Sequence, residues 1–276
     1  MSFFKLLLHD LRCGLLRFRY LIIPLLTIIP CFQMFNRLQL SDSSGGLIDY
    51  LLYTFKGMEP VRKDNPLDQI QLPIFWMVLV GSCLFMNLDY MLNDLTNAGQ
   101  QVIFRSRTRN GWFLSKCIWN MTSSILFVLV ICLSEFGFII VFGESSIVCD
   151  SAHAFMKIFC GIIPQEASLS VWQGIVASIF TPLMTIATLN ILEMTLCLFV
   201  KPIISFLTCM TLLVFAVYCN SPYAIGNGAM TIRSGLITPN GHNTVTVICF
   251  LSVVILFCVV VGMMRFKHTD ILGMEE

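Results

Sequence analysis

Apolar residues gather into six runs along this chain, and between them Gly, Pro and charged residues return. The runs cover about 20–35, 72–91, 118–142, 171–199, 202–218 and 244–264. A hydrocarbon core about 30 Å thick takes roughly 20 residues of α-helix to cross, so this pattern predicts six transmembrane helices. The first and fifth runs are short and lean on their flanking residues. The fourth and fifth are split only by Val200 and Lys201, beside Pro202, which predicts a tight turn at a membrane face.

Composition moves the chain the same way. It is 57% hydrophobic and only 12% charged, whereas about a quarter of a soluble domain is charged. The fold class that follows is an all-α integral membrane protein forming one domain over residues 1–276. Its longest gap between runs, about 35 residues, is too short to bury a core of its own.

Lys and Arg set the orientation, because cytoplasmic loops hold an excess of them. Starting inside, eleven fall on the cytoplasmic side, among them Arg105, Arg107, Arg109, Lys116 and Lys201. Six fall outside, among them Arg37, Lys56, Lys157 and Arg233. Both termini are therefore expected in the cytoplasm and the chain in the cell membrane as a multi-pass protein. Its basic residues are dispersed along a membrane face, which gives no case for nucleic acid.

Residues 1–19 predict an amphipathic interfacial helix ahead of the first span. Lys5, His9, Arg12 and Arg19 form one stripe, and Phe4, Leu7, Leu8, Leu11, Leu15 and Phe18 form the other. Such a helix lies on membrane lipid with its basic side toward anionic headgroups. Arg12, Arg17 and Arg19 interrupt any apolar core that a cleaved signal peptide would need.

The outer loop 36–71 is polar, holds Pro60 and Pro66 and shows no sustained period. The last outer loop, CNSPYAIGNGAMTIRSGLITPNGHN, predicts turns framing at most a short helix. Most of the twelve cysteines lie in apolar runs and read as small hydrophobes. Cys149 and Cys160 share an outer loop, and a disulfide between them stays open.

Reactive constellations are sparse. There is no HExxH, no GxSxG elbow, no Cys/His metal spacing and no Walker-type phosphate loop. SSGGLID at Ser43–Asp49 only superficially approaches an ATPase signature and falls in an outer loop. Three ionisable residues interrupt the spans: Asp89 and Glu193 near cytoplasmic ends, and Glu135 deeper in the third. A central carboxylate costs about 3 kcal/mol, and the apolar residues of that span return roughly 4–9 kcal/mol, so it inserts without a partner for Glu135. Helix–helix hydrogen bonding, pathway lining and exposure near the headgroups all remain open for Glu135.

Six spans with both ends inside, a basic amphipathic helix before them, and the loop NAGQQVIFRSRTRNGWFLSK between spans two and three resemble the permease subunit of type-2, exporter-class bacterial ABC transporters. SPYAIGNGAMTIRSG is similar to the re-entrant segment such permeases place before the last span, and MRFKHTDIL to their basic-then-Asp-Ile ending. The resemblance implies a pore-forming half in a bacterial plasma membrane, paired with a second permease subunit, identical or sibling. A separate ATP-binding subunit would hold the ATP and Mg; the chain itself would bind no cofactor.

The resemblance further makes residues 92–117 the cytoplasmic coupling loop. Gly99, Gln100, Gln101, Val102, Ile103 and Phe104 would form its docking helix, and Arg105, Arg107 and Arg109 its basic exit. The alternation puts Arg105 and Arg109 on one side of a helix and Arg107 nearly opposite, so docking rests more on GQQVIF than on the arginines. Such permeases export or clear peptides, antimicrobial peptides included, or hydrophobic drugs. Two other readings stand beside this one: a non-transporting immunity or scaffold protein, and a membrane-embedded enzyme. His9, His153, His242 and His268 are scattered over loops and ends on both sides of the membrane, which counts against the enzyme.

Overall fold

The computed structural model describes residues 7–8, 10–11, 18–60, 72–88, 90, 109–142, 153–161 and 169–268. Helices dominate. They are α1 (Ile22–Leu40), α2 (Leu47–Thr54), α3 (Ile74–Leu88), α4 (Arg109–Phe142), α5 (Val171–Leu196), α6 (Pro202–Tyr218) and α7 (Thr244–His268). No strand occurs among the described residues; one isolated bridge joins Ser234 to His242. Four helices are long and apolar enough to cross a membrane: Arg19–Leu40, Asn110–Phe142, Val171–Leu196 and Thr244–Lys267. Ile74–Asn87 and Pro202–Tyr218 are shorter apolar helices.

Local chemistry explains several boundaries. Ser170 caps α5 by accepting from the Gln173 N–H, and the Gln173 side chain accepts the Ser170 N–H in return. Inside α5 a single π turn, Val176–Phe180, precedes Pro182. The proline ring cannot donate and would clash with the carbonyl four residues back, and the wider turn accommodates it. Pro202 opens α6, where its missing N–H would be unsatisfied anyway.

Consecutive long helices alternate in direction. Ser205 donates to the Glu193 carbonyl and Cys209 to that of Leu189, which sets α6 antiparallel to α5. Thr195 reaches the Cys258 carbonyl, Ile191 clusters with Ile255 and Leu198 with Phe266, so α7 runs alongside α5 in the same sense. Two ends result. At the near end, where α4 begins, Trp112, Phe113, Met194, Leu198 and Phe266 pack together. The Phe113 ring occupies the space a Cβ at Gly262 would take, so only glycine lets α7 approach so closely. At the far end, where α4 finishes, Cys31, Met34, Tyr50 and Phe138 form another cluster. Between them the main core joins α1, α3, α4, α5 and α6 through residues such as Ile23, Leu79, Phe127, Leu189 and Leu213.

The helices follow the apolar runs with four differences. The third run opens at 118, yet α4 starts at Arg109, because its first turns are buried by aromatic packing and by Asp10 rather than by lipid. The first and last helices continue to Leu40 and His268. In the fourth run the helix ends at Leu196, ahead of the run's end at 199. Within the loop expected to be irregular lies α2, whose Asp49 carboxylate accepts the Gly46 N–H at 2.9 Å and the Phe155 N–H at 2.8 Å. Asp49 thus starts α2 and ties it to the segment beginning at His153.

Candidate functional site

A polar layer crosses the bundle toward its near end. Ser123 Oγ donates to Asn87 Oδ1 at 2.8 Å, so Tyr20 OH, 2.7 Å from the same Ser123 oxygen, must be the donor there. Ser124 donates to the Asn120 carbonyl and therefore accepts from Asn190 Nδ2 at 2.8 Å. Asn190 Nδ2 also points at Cys83 Sγ, 3.3 Å away, and Asn120 Nδ2 donates to the Asn190 carbonyl at 2.9 Å. Glu193 lies one turn below Asn190 on α5, fully buried beside the same layer. Such interhelical bonds hold apolar helices together where lipid offers no hydrophobic drive.

Below this layer a buried ion pair joins the N-terminal segment to α4. Lys116 Nζ donates to Asp10 Oδ1 at 2.7 Å, with both side chains at most 1% exposed. Ser115 Oγ donates to Asp10 Oδ2 at 2.6 Å, and Tyr90 OH to Oδ1 at 3.3 Å. The ammonium also sits 4.7 Å from the Tyr90 ring and 5.0 Å from that of Trp112. Leu7, Leu8, Asp10 and Leu11 are helical as expected, but Asp10 faces the bundle and not lipid. Lys116, read from sequence as a loop charge that orients the chain, is committed to this pair.

The far end is closed by the loop between α6 and α7. Its two 3-10 turns, Ile225–Ala229 and Thr231–Arg233, are buried. Thr231 donates to the carbonyls of Phe55, through its N–H, and Leu52, through its hydroxyl. The Arg233 guanidinium reaches the carbonyls of Ala216, Val217 and Met58 at 2.7–2.8 Å and Asn227 Oδ1 at 2.6 Å. It thereby caps the C-terminus of α6, where carbonyls are left without helix partners. Burial draws its pKa down to about 10, which leaves it charged at neutral pH.

Nearby, Thr54 Oγ1 donates to Glu135 Oε1 at 2.6 Å, linking α2 to α4; Glu135 is fully buried. A cleft of about 700 Å3 opens beside this pair, lined by Gln33, Tyr53, Lys56, Glu59, Phe75 and Trp76 among others. Burial lowers the Lys56 pKa, and its ammonium stands 4.2 Å over the Phe159 ring.

The sequence-derived site residues separate into three groups. Gly99, Gln100, Gln101, Val102, Ile103, Phe104, Arg105, Arg107 and Asp89 lie outside the described residues, and Arg109 is the first residue of α4. Glu193 belongs to the near polar layer, and Glu135 to the far end. Cys149 also lies outside the described residues, and Cys160 is a free thiol. No group of His, Cys, Asp and Glu suited to a metal ion occurs among the described residues.

Asp10, Asn87, Asn120, Asn190 and Arg233 organise both ends, and sequence reading gave none of them that role. A signal for Asp10 was present, since it is the lone acid before Asp42 and stands off the stripe that Lys5, His9, Arg12 and Arg19 form. The asparagines interrupt apolar runs, where an amide needs a partner.

Apolar helices joined by buried amides and by charges removed from lipid define a helical membrane protein. Residues 26–272 match the family described as Protein of unknown function (DUF2705), and the chain belongs to that family. No curated protein and no solved structure matches it.

Proposed function

We propose that this chain is the membrane-spanning subunit of an exporter-class ABC transporter. Six helices cross a bacterial plasma membrane with both termini inside, residues 92–117 dock a separate ATP-binding subunit that holds ATP and Mg, and a second permease subunit completes the pathway. The substrate is a peptide-like or hydrophobic molecule.

The observation that carries this reading is α4. Its 34 residues extend about 51 Å, against a hydrocarbon core of about 30 Å. The helix begins at the end of the arginine-bearing loop, and its first turns bind the N-terminal segment through Asp10 and α7 through Phe266. It continues unbroken to Glu135, where Thr54 attaches α2 and the far cleft opens. A displacement imposed at the loop would thus be carried by one rigid element to the opposite end. The cleft pairs Lys56 and Glu59 with aromatic walls, which suits both the charges and the side chains of a peptide.

Co-expression with a Walker-type ATPase encoded beside it tests this reading. A detergent-stable complex that hydrolyses ATP is the expected result. Recovery of the chain alone, from a membrane in which that ATPase is abundant, would overturn it.

A further inference from the structure

We propose that the near polar layer binds one water molecule at the junction of α3, α4 and α5, hydrogen-bonded to Asn120, Asn190 and Trp119. A gap of about 10 Å3 lies there, bounded by Asn87, Trp119, Asn120, Asn190, Glu193 and Met194 among others. One water needs about that volume and two to four polar partners.

Three atoms on its walls supply them. Asn120 Oδ1, Asn190 Oδ1 and Trp119 Nε1 are buried and hydrogen-bonded to nothing among the described residues; their side chains belong to residues no more than 2% exposed. The amide orientations are fixed by their other bonds. Asn120 Nδ2 faces a backbone carbonyl, which only accepts. Asn190 Nδ2 faces Ser124, whose proton is already given to the Asn120 carbonyl. Neither amide can turn over without losing a donor, so both Oδ1 atoms are left as acceptors.

Trp119 cannot turn away either, because its ring stacks on Tyr90 with centroids 3.7 Å apart. Two acceptors and one donor are the complement of a single water, which donates twice and accepts from the indole N–H. A monovalent cation would take the two amide oxygens and the Glu193 carboxylate, which also bounds the gap, but would meet the positive end of the indole N–H. The bound water gives each stranded atom a partner, and an unpartnered buried polar atom otherwise costs about 1–3 kcal/mol.

Hydroxyl-radical footprinting by X-ray radiolysis, on the full-length protein in lipid nanodiscs, reads this site directly, because a bound internal water generates the radical in place. Trp119 and Met194 are expected to label rapidly although both are buried, while Met34, buried in the far cluster, labels slowly. Asn120→Leu, which fills the gap with a methyl group, should bring Met194 down to the rate of Met34 and slow Trp119 with it. Should that variant not fold, replacing Trp119 by its benzothienyl analogue keeps the bicyclic ring and removes only the N–H, and the same fall is then read at Met194. Wild-type Met194 labelling no faster than Met34 would overturn the proposal. So would labelling at Met194 that changes when Na+ and K+ are replaced by choline, since the occupant would then be a cation.

Discussion

The two ends of the bundle each bury a positive charge, and they neutralise it differently. At the near end Lys116 meets a carboxylate, Asp10, more than a hundred residues away in sequence and carried by the N-terminal segment. At the far end Arg233 has no carboxylate partner among the described residues; it is held by backbone carbonyls and one amide oxygen from the loop between α2 and α3, the end of α6 and its own loop. An ion pair is a joint between two side chains that can be made, broken or replaced. A carbonyl cage exists only while three stretches of backbone keep their shape. The near end therefore suits a moving attachment and the far end a fixed cap.

The largest effect should come from breaking the cap. Arg233→Leu strands the carbonyls of Ala216, Val217 and Met58, and at about 1–3 kcal/mol for each buried acceptor the loss should reach about 3–9 kcal/mol. Thermal unfolding in detergent will measure it, and no second-site change should restore it. Lys116→Met leaves Asp10 charged and buried, a loss of about 3–5 kcal/mol. Here the comparison predicts rescue: adding Asp10→Leu should recover most of that loss, since an apolar pair can replace a buried ion pair. If the double variant is as unstable as Lys116→Met, the near end is not a separable joint.

A smaller effect follows acidification. His242, next to the cap and with Nε2 buried, has its pKa lowered from 6.5, first by burial and then by Arg233. The unfolded imidazole then takes up a proton at a higher pH than the folded one. This stability is present above about pH 6.5 and is lost as pH falls through the folded value. His242→Gln should flatten that slope in unfolding measured between neutral and acidic pH. The smallest effect is expected for Glu135→Gln, which keeps an acceptor for Thr54; its unfolding midpoint should correspond to a change below about 1 kcal/mol.

Hydropathy made the long helices legible because burial in lipid acts on every residue of a run at once. It could not find α2, since eight residues, LIDYLLYT, are too few to show a period. The start of α4 was hidden for a related reason: Trp112, Phe113 and Lys116 are buried by partners distant in the chain, and the local pattern carries no trace of them. Both charge cages depend on such pairings. Arg233 and Lys116 look like ordinary loop charges until Ala216, Val217 and Asp10 are brought beside them. Glu135 stands out in the sequence by its place in an apolar run, but its partner Thr54 lies in a segment read as loop.

The proposed function requires a separate ATPase to attach at the loop before α4. Co-purified ATPase activity from Arg105→Glu/Arg109→Glu, scored beside cysteine-accessibility mapping of both termini, tests it most directly. Docking at this loop predicts that bound ATPase is lost while both termini stay on the cytoplasmic side. Retention of the ATPase, or an inverted chain, would contradict it and leave the arginines as an orientation signal alone.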